Sequence, residues 1–222
     1  MKKLLFVSIF VLTGLSLSQN AFSQNGYIDQ LTGTVEIKQP KETAFKTAGK
    51  GEIIFKDTVI STGFKSYAII KIGGTTITVR PLTALTLAEI QSSEDAETLN
   101  VNLQSGRVHV EVKPSAGKKA STSVSSPSAT ASVRGTSFEF DTNNIHVNEG
   151  VVSFTGKNGQ NVLVGAGGSS RVDQSGQASS PQDERDADLM PPSPVGTSAK
   201  EMPVSAPASA SMPFTFELVF QD

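Results

Sequence analysis

The chain has no cysteine, no tryptophan and only two histidines. The lack of cysteine excludes disulfide bonds, thiolate metal sites and a lipid carried on cysteine. After residue 17, no apolar run approaches the roughly 20 residues that span a bilayer as a helix, so we expect no transmembrane segment in the mature protein. The 19 lysines and arginines are outnumbered by 21 aspartates and glutamates, which disfavours a nucleic-acid partner.

The first 23 residues have the pattern of an export signal. Lys2 and Lys3 precede an apolar run over residues 4–17, and Ala21-Phe22-Ser23 places small residues at the two positions that a signal peptidase recognises. An uncleaved anchor is the alternative, but the run is short for a membrane span. We expect residues 1–23 to be removed on export, leaving a periplasmic, surface-associated or secreted protein.

Between residues 33 and 172 apolar side chains recur at every second position, which is the period of a β-strand. Gly73-Gly74 predicts a two-residue hairpin, and Ser105-Gly106, Asn143-Asn144 and Lys157-Asn158-Gly159 mark further turns of this kind. The pattern predicts a single all-β domain over residues 24–172, solenoid-like or sandwich-like, with the strand order left open. The clearest predicted strands cover residues 34–38, 67–72, 75–80, 85–90, 99–103, 107–113, 133–140, 145–148, 151–155 and 162–164.

A glycine followed by alternating apolar positions occurs three times, at Gly33, Gly106 and Gly150. A strict solenoid would repeat at one fixed interval, and these intervals differ. We therefore interpret the three glycines as equivalent turns that lead into strands.

The C-terminal part of the chain has a different composition. Residues 173–211 are rich in proline, serine and alanine, carry an excess of acidic side chains, and are expected to form a disordered linker because they bury too little apolar surface. In residues 212–222, Phe214, Phe216, Leu218 and Phe220 would share one face of a strand. That strand either completes the sheet of its own domain or docks on the open edge of another protein or of a second copy.

The segment from residue 126 to residue 140 predicts two short strands around a tight bend, because small and β-branched residues lead to Gly135 and then to alternating aromatic and polar residues. Arg134 carries five hydrogen-bond donors. If its guanidinium lay inside, it would bind the carbonyls of neighbouring turns, and Arg134→Ala would cost about 3 kcal/mol.

Val133, Arg134, Gly135, Thr136 and Phe138 resemble the V-R-G-T-x-F signature of the FecR-type domain, which is named for a periplasmic regulator of iron-dicitrate uptake. Seven other segments resemble the family in the right order. They are residues 33–35, 57–63, 66–70, 74–81, 103–108, 147–152 and 164–167.

The resemblance implies a small β domain that acts as a protein-interaction scaffold in the bacterial envelope, without catalysis or cofactor. In the regulator that names the family, a cytoplasmic segment controlling a sigma factor and a transmembrane helix precede this domain. Here only the export signal precedes it, so we expect the fold to transfer and the regulatory circuit not to.

Candidate catalytic or metal-binding residues are few. His109 and Glu111 project from one face of a predicted strand, but with His146 as the only other histidine a zinc site lacks a further ligand, so solvent-facing positions are favoured. Asp141 and Asn143 begin an oxygen-rich stretch, yet Ile145 breaks the calcium-loop spacing.

The glycines of residues 165–170 lack the last glycine of a dinucleotide-binding loop, and no G-x-S-x-G motif occurs. We therefore expect no enzyme and no cofactor.

Two charge clusters are interpreted as solvated surface. The basic cluster contains Lys113, Lys118 and Lys119, and the acidic cluster contains Glu94, Asp95 and Glu97.

The sequence thus predicts an exported binding protein that engages an envelope protein through an exposed sheet edge. A carbohydrate-binding or adhesive module is the alternative, and it would require solvent-facing aromatic residues.

Overall fold

The computed structural model describes residues 25–182. The expected export signal, residues 183–211 of the expected linker and the segment 212–222 with its four apolar residues lie outside these residues. The described part contains seventeen strands, and none of its helices has the length and apolar character needed to cross a membrane. The strands are β1 Gly26–Thr32, β2 Val35–Lys38, β3 Lys46–Thr47, β4 Ile53–Ile54, β5 Val59–Thr62, β6 Tyr67–Ile72, β7 Thr75–Val79, β8 Ala84–Ser92, β9 Ala96–Ser105, β10 Arg107–Val112, β11 Lys119–Ser125, β12 Ala129–Val133, β13 Ser137–Asp141, β14 Asn144–Glu149, β15 Val151–Gly156, β16 Asn161–Gly165 and β17 Ser169–Arg171.

The strands form two sheets, which confirms the all-β prediction. The nine-stranded sheet has the order β16-β15-β12-β11-β9-β8-β5-β2-β3, and the eight-stranded sheet has the order β17-β14-β13-β10-β7-β6-β1-β4. Only β9 and β11 pair in parallel among the described strands. Apart from the first few strands, spatial order follows chain order in both sheets. Successive strands are therefore added along the two sheets in chain order, as in a solenoid, and the two sheets form the layers of a sandwich.

The inward faces of the two sheets share one buried apolar core. Phe140 of β13 and Phe154 of β15 belong to different sheets, and their rings meet edge to face with centroids 6.1 Å apart. Thr75 and Thr122 also meet across the sheets, with their hydroxyl oxygens 3.4 Å apart. This burial of apolar side chains between the layers is the main stabilising contribution that the alternating pattern predicted.

The predicted turns divide into two kinds. Gly73-Gly74 forms the expected two-residue hairpin, since Ile72 pairs directly with Thr75. Ser105-Gly106 does not form a hairpin, because β9 lies in the nine-stranded sheet and β10 in the eight-stranded sheet. It is a corner at which the chain crosses between layers.

The other two repeated glycines occupy the same kind of corner. Gly33 leads from β1 to β2 and Gly150 from β14 to β15, and each of these crossings changes sheet. Gly106 shows why glycine is required there: its φ is 87°, and a Cβ at this position would collide with the side chain and backbone of Thr83. The interpretation of the three glycines as equivalent turns is consistent with this geometry.

The folded region continues past residue 172, the boundary expected from composition. Val172 forms a bridge with Ala178, and Ala178 is buried in the core. Asp173 closes the intervening turn by accepting hydrogen bonds from the backbone N–H groups of Ser175 and Gln177. A single alanine filling the end of the core is too small a signal to stand out in a proline- and serine-rich stretch.

Candidate functional site

The V-R-G-T segment is a structural crossing between the sheets. Val133 ends β12 and Phe138 lies in β13, and both side chains are buried. Gly135 has a φ of 135°, and the carbonyl of Thr136 accepts the N–H of Val112 at 2.8 Å. The prediction of two short strands around a bend is confirmed, and the two strands belong to different layers.

Arg134 is exposed, so the condition under which its guanidinium would bind the carbonyls of neighbouring turns is not met. The alternation of β12 continues through the end of the strand, so Ala131 and Val133 are buried while Ser132 and Arg134 are exposed. An arginine at this position faces solvent because its neighbour in the chain takes the core position.

The two histidines flank one carboxylate. Glu139 of β13 lies opposite His109 on one side and opposite His146 on the other. Nδ1 of His146 lies 2.9 Å from Oγ of Ser169. Among residues 25–182 no group of three or more acidic, histidine or cysteine side chains could hold a metal ion.

The carboxylate of Asp141 holds a hairpin. Its Oδ1 accepts the backbone N–H groups of Asn143 and Asn144 at 3.0 and 2.8 Å, and it also accepts the side-chain amide of Asn144. Burial opposes ionisation of Asp141, but these hydrogen bonds and the charge of Arg107 outweigh it, so the pKa of Asp141 lies below its ordinary value. The oxygen-rich stretch is therefore a turn between β13 and β14.

The acidic and basic clusters lie together. Glu97 accepts the N–H of Gly74 at 3.1 Å and the hydroxyl of Ser115 at 2.9 Å, and Lys118 approaches its carboxylate to 3.9 Å. Lys113 instead pairs with Glu111 at 2.5 Å. These charges bind loops to one another at one end of the sheets, a local structural role that the sequence alone did not predict.

The described strands at the four edges of the two sheets differ in length. At three of the four edges the outermost described strand is short: β3 and β4 have two residues each, and β17 has three. Short edge strands are a common protection against unwanted pairing. The fourth edge is β16, with five residues, and its Leu163 is 67% exposed.

The backbone of β16 offers hydrogen-bonding groups on its outer side. In an antiparallel pair, hydrogen-bonded and non-hydrogen-bonded residue pairs alternate. The N–H of Gly156 donates to the carbonyl of Gln160 at 2.9 Å, so the pair Ser153 and Leu163, three positions further along the ladder, is of the non-hydrogen-bonded kind. The N–H and C=O of Leu163 therefore point away from β15, toward the free edge.

A second polar surface lies on the outer face of the eight-stranded sheet, where β7, β10, β13, β14 and β17 are neighbours. We call it the arginine groove and define it by Arg80, Arg107, Arg171, Glu139 and Asp141. Arg80 binds Glu139 with 2.6 Å between Nη2 and Oε1, and Nε of Arg171 donates to the side chain of Asn144 at 2.9 Å.

Both surfaces were missed from the sequence. Arg80, Arg107 and Glu139 are far apart along the chain, and only the register of β7, β10 and β13 places them side by side. For β16, the signal was the alternation around Leu163, but nothing in the sequence shows that β16 is the outermost described strand of its sheet.

The model of the FecR protein family matches residues 58–157. Two crystal structures of a protein described as an anti-sigma factor from Parabacteroides distasonis ATCC 8503 are similar to this chain. Their identities are 16% and 17% and their TM-scores 0.45 and 0.44; each match covers 55% of this chain and 57% of the other. The chain thus spans little more than half the length of these structures, and no curated protein matches it. The family resemblance drawn from the sequence is confirmed: residues 58–157 of this chain form a FecR domain.

Proposed function

We propose that this protein is an exported, non-catalytic regulatory or signalling protein that binds an envelope protein by strand addition at β16. The presence of a FecR domain supports a regulatory or signalling role. The export pattern of residues 1–23 supports an envelope location, on either side of an outer membrane or beyond it.

The proposed binding mode rests on the position of β16, which is the outermost strand of the nine-stranded sheet within residues 25–182. Strand addition needs a run of outward N–H and C=O groups for affinity and exposed side chains for selectivity. Asn161 and Leu163 are both exposed on this strand, and their outward backbone groups fit the first requirement. Val151 lies diagonally across from Leu163 on the same outer face and is also exposed, so it extends the apolar contact.

The inward side of β16 packs against the core. Val164 is buried there and Val162 is partly buried against it, while Val162 and Ala178 line an open pocket. A partner strand would therefore extend the sheet outward without displacing the core. The carbohydrate-binding alternative has no comparable support, because no comparison favours it.

Site-specific photo-crosslinking in cells tests this proposal. A photoreactive residue at position 161 is expected to give one discrete adduct with an envelope protein, identified by mass spectrometry. The same probe at Asn102, an exposed position within the nine-stranded sheet, is expected to give none.

A proline at position 163 supplies the matched variant. Leu163→Pro removes the outward N–H and no hydrogen bond to β15, and edge strands tolerate proline at such a position. It also replaces the leucine side chain, so Leu163→Val is needed beside it; with proline the adduct from position 161 should be lost while circular dichroism stays unchanged. Leu163→Val keeps the N–H and should keep the adduct. Equal adducts from both probe positions, or an adduct that survives the proline, would show that β16 is not the binding edge.

A further inference from the structure

The arginine groove has a different chemistry from the β16 edge. Its guanidinium groups lie on the outer face of neighbouring strands, where β10 pairs with β7 on one side and with β13 on the other. Arg107 begins β10, and the backbone N–H of Arg80 donates to its carbonyl at 3.0 Å. The two arginines are thus fixed next to each other at the start of the groove.

Arg107 is only weakly engaged by its acidic neighbour. Its Nη2 lies 3.5 Å from Oδ2 of Asp141, which is longer than a normal charged hydrogen bond. Asp141 is occupied by the backbone of the β13–β14 hairpin, and the Arg107 side chain is 56% exposed. Most of the five donors of this guanidinium therefore have no acceptor among residues 25–182.

Arg80 has a closer partner but also retains donors. Its single contact with Glu139 uses Nη2. Burial opposes ionisation of Glu139, but the hydrogen bond and charge of Arg80 outweigh it, so the pKa of Glu139 is lowered and the groove holds an ionised carboxylate. Two resident carboxylates would repel a doubly charged phosphate more strongly than a singly charged carboxylate.

The rim of the groove adds an apolar contact. Pro81 and Leu82 line its entrance beside Arg80, and Leu82 is exposed. Arginine beside exposed apolar side chains is the composition typical of a protein-binding surface. Adjacent strands lie about 4.8 Å apart, and side chains two residues apart on an extended peptide lie about 6.6 Å apart, so two such acidic side chains can reach the two arginines together.

We propose that the arginine groove binds an extended acidic peptide segment, with carboxylates two residues apart contacting Arg107 and Arg80. Arg107 is the main anchor because two N–H groups of its guanidinium can donate to the two oxygens of one carboxylate. This interaction is separate from strand addition at β16, and either one can fail without the other.

Fluorescence anisotropy with a labelled eight-residue peptide of alternating glutamate and serine tests the proposal on the full chain at low ionic strength. We expect binding of this peptide and none of the matched glutamine–serine peptide. Arg107→Gln should weaken binding by about tenfold, and Arg107→Lys, which keeps the charge but loses the fork, should weaken it less.

Arg134→Gln is the matched control, since it removes the same charge from an exposed arginine outside the groove. It should change the affinity less than twofold. The proposal is overturned if the acidic peptide does not bind, or if Arg134→Gln weakens binding as much as Arg107→Gln does, which would indicate general charge attraction. It is also overturned if inorganic phosphate displaces the peptide at equal concentration, which would indicate a simple anion site.

Discussion

Replacing Thr83 by valine removes one buried hydroxyl from a corner between the two sheets. Thr83 lies between β7 and β8 and is 1% exposed. Its Oγ1 accepts the backbone N–H of Arg107 at 3.0 Å and lies 3.1 Å from the carbonyl of the same residue, to which it donates. The hydroxyl of Thr83 is thus the acceptor for the N–H of Arg107, whereas the carbonyl of Arg107 also accepts the backbone N–H of Arg80.

The expected cost follows from the bond to the N–H of Arg107. Valine has nearly the shape of threonine, so Thr83→Val preserves the packing and leaves the N–H of Arg107 without an acceptor in a partly buried position. A stranded donor of this kind costs about 1–3 kcal/mol. The N–H of Thr83 keeps its own bond to Oγ1 of Thr62 at 3.0 Å, so the corner should remain folded.

Urea unfolding followed by far-ultraviolet circular dichroism measures the effect, because the chain has no tryptophan for fluorescence. Thr76→Val is the matched control: Thr76 lies on the outer face of β7, and its replacement should change the free energy of unfolding by less than about 0.5 kcal/mol. Equal losses for Thr83→Val and Thr76→Val would refute the reasoning, since the buried hydroxyl would then contribute nothing specific.

Two further predictions concern charged residues. Arg134→Ala should change the free energy of unfolding by less than about 0.5 kcal/mol, because Arg134 is exposed; a loss near 3 kcal/mol in urea unfolding would restore the inward orientation. The lowered pKa of Asp141 means that its contribution to stability is present above the ordinary value of 3.8 and is lost as pH falls through the lower folded value. Asp141→Asn should therefore be less stable than the unchanged protein at pH 7, with a difference that shrinks in acid; a difference independent of pH would argue against an ionised hairpin acceptor.

The sequence predicted the layers of the fold better than their connections. Val108, Val110 and Val112 alternate with polar residues in the sequence, and in the structure all three are buried, because side chains on the inward face of a strand must be apolar. The strand β11 escaped prediction because its inward side chains are Ala120, Thr122 and Val124, two of them small or polar, and its outward ones are mainly serine. Its pairing with β9 is parallel, so no hairpin signal marked it either.

The position of Ser105-Gly106 illustrates a second limit. A glycine with positive φ suits a hairpin and a corner equally well, and the difference depends on which strand the chain pairs with afterwards. The same dependence on pairing hid the arginine groove. Arg80 and Arg107 are separated by 26 residues, and nothing in that stretch shows that they are neighbours until β10 is placed beside β7. Composition and hydrophobic period therefore predict the strands but not which strands pair or in which register.

The two outer faces of the fold differ in chemistry, and this difference bears on where a partner binds. From β8 to β16 of the nine-stranded sheet, one cross-strand row contains only uncharged polar side chains, namely Thr86, Asn102, Ser125, Thr130, Thr155 and Asn161. Their hydroxyl and amide groups bind water or one another, as Ser125 and Thr130 do at 3.1 Å. Such a row offers neither charge nor apolar area to a protein partner, so recognition has to come from the margins of this face and from the opposite sheet.

That inference connects the two proposed surfaces. The edge of β16 borders this uncharged row and adds exposed Leu163 and Val151 to outward backbone groups, which gives affinity with little dependence on charge. The arginine groove belongs to the other sheet and depends on charge, so its binding should weaken as salt rises whereas strand addition should not. Measuring the salt dependence of the crosslink at position 161 and of peptide binding on the same protein would therefore separate the two interactions; parallel losses would mean that a single charged surface accounts for both.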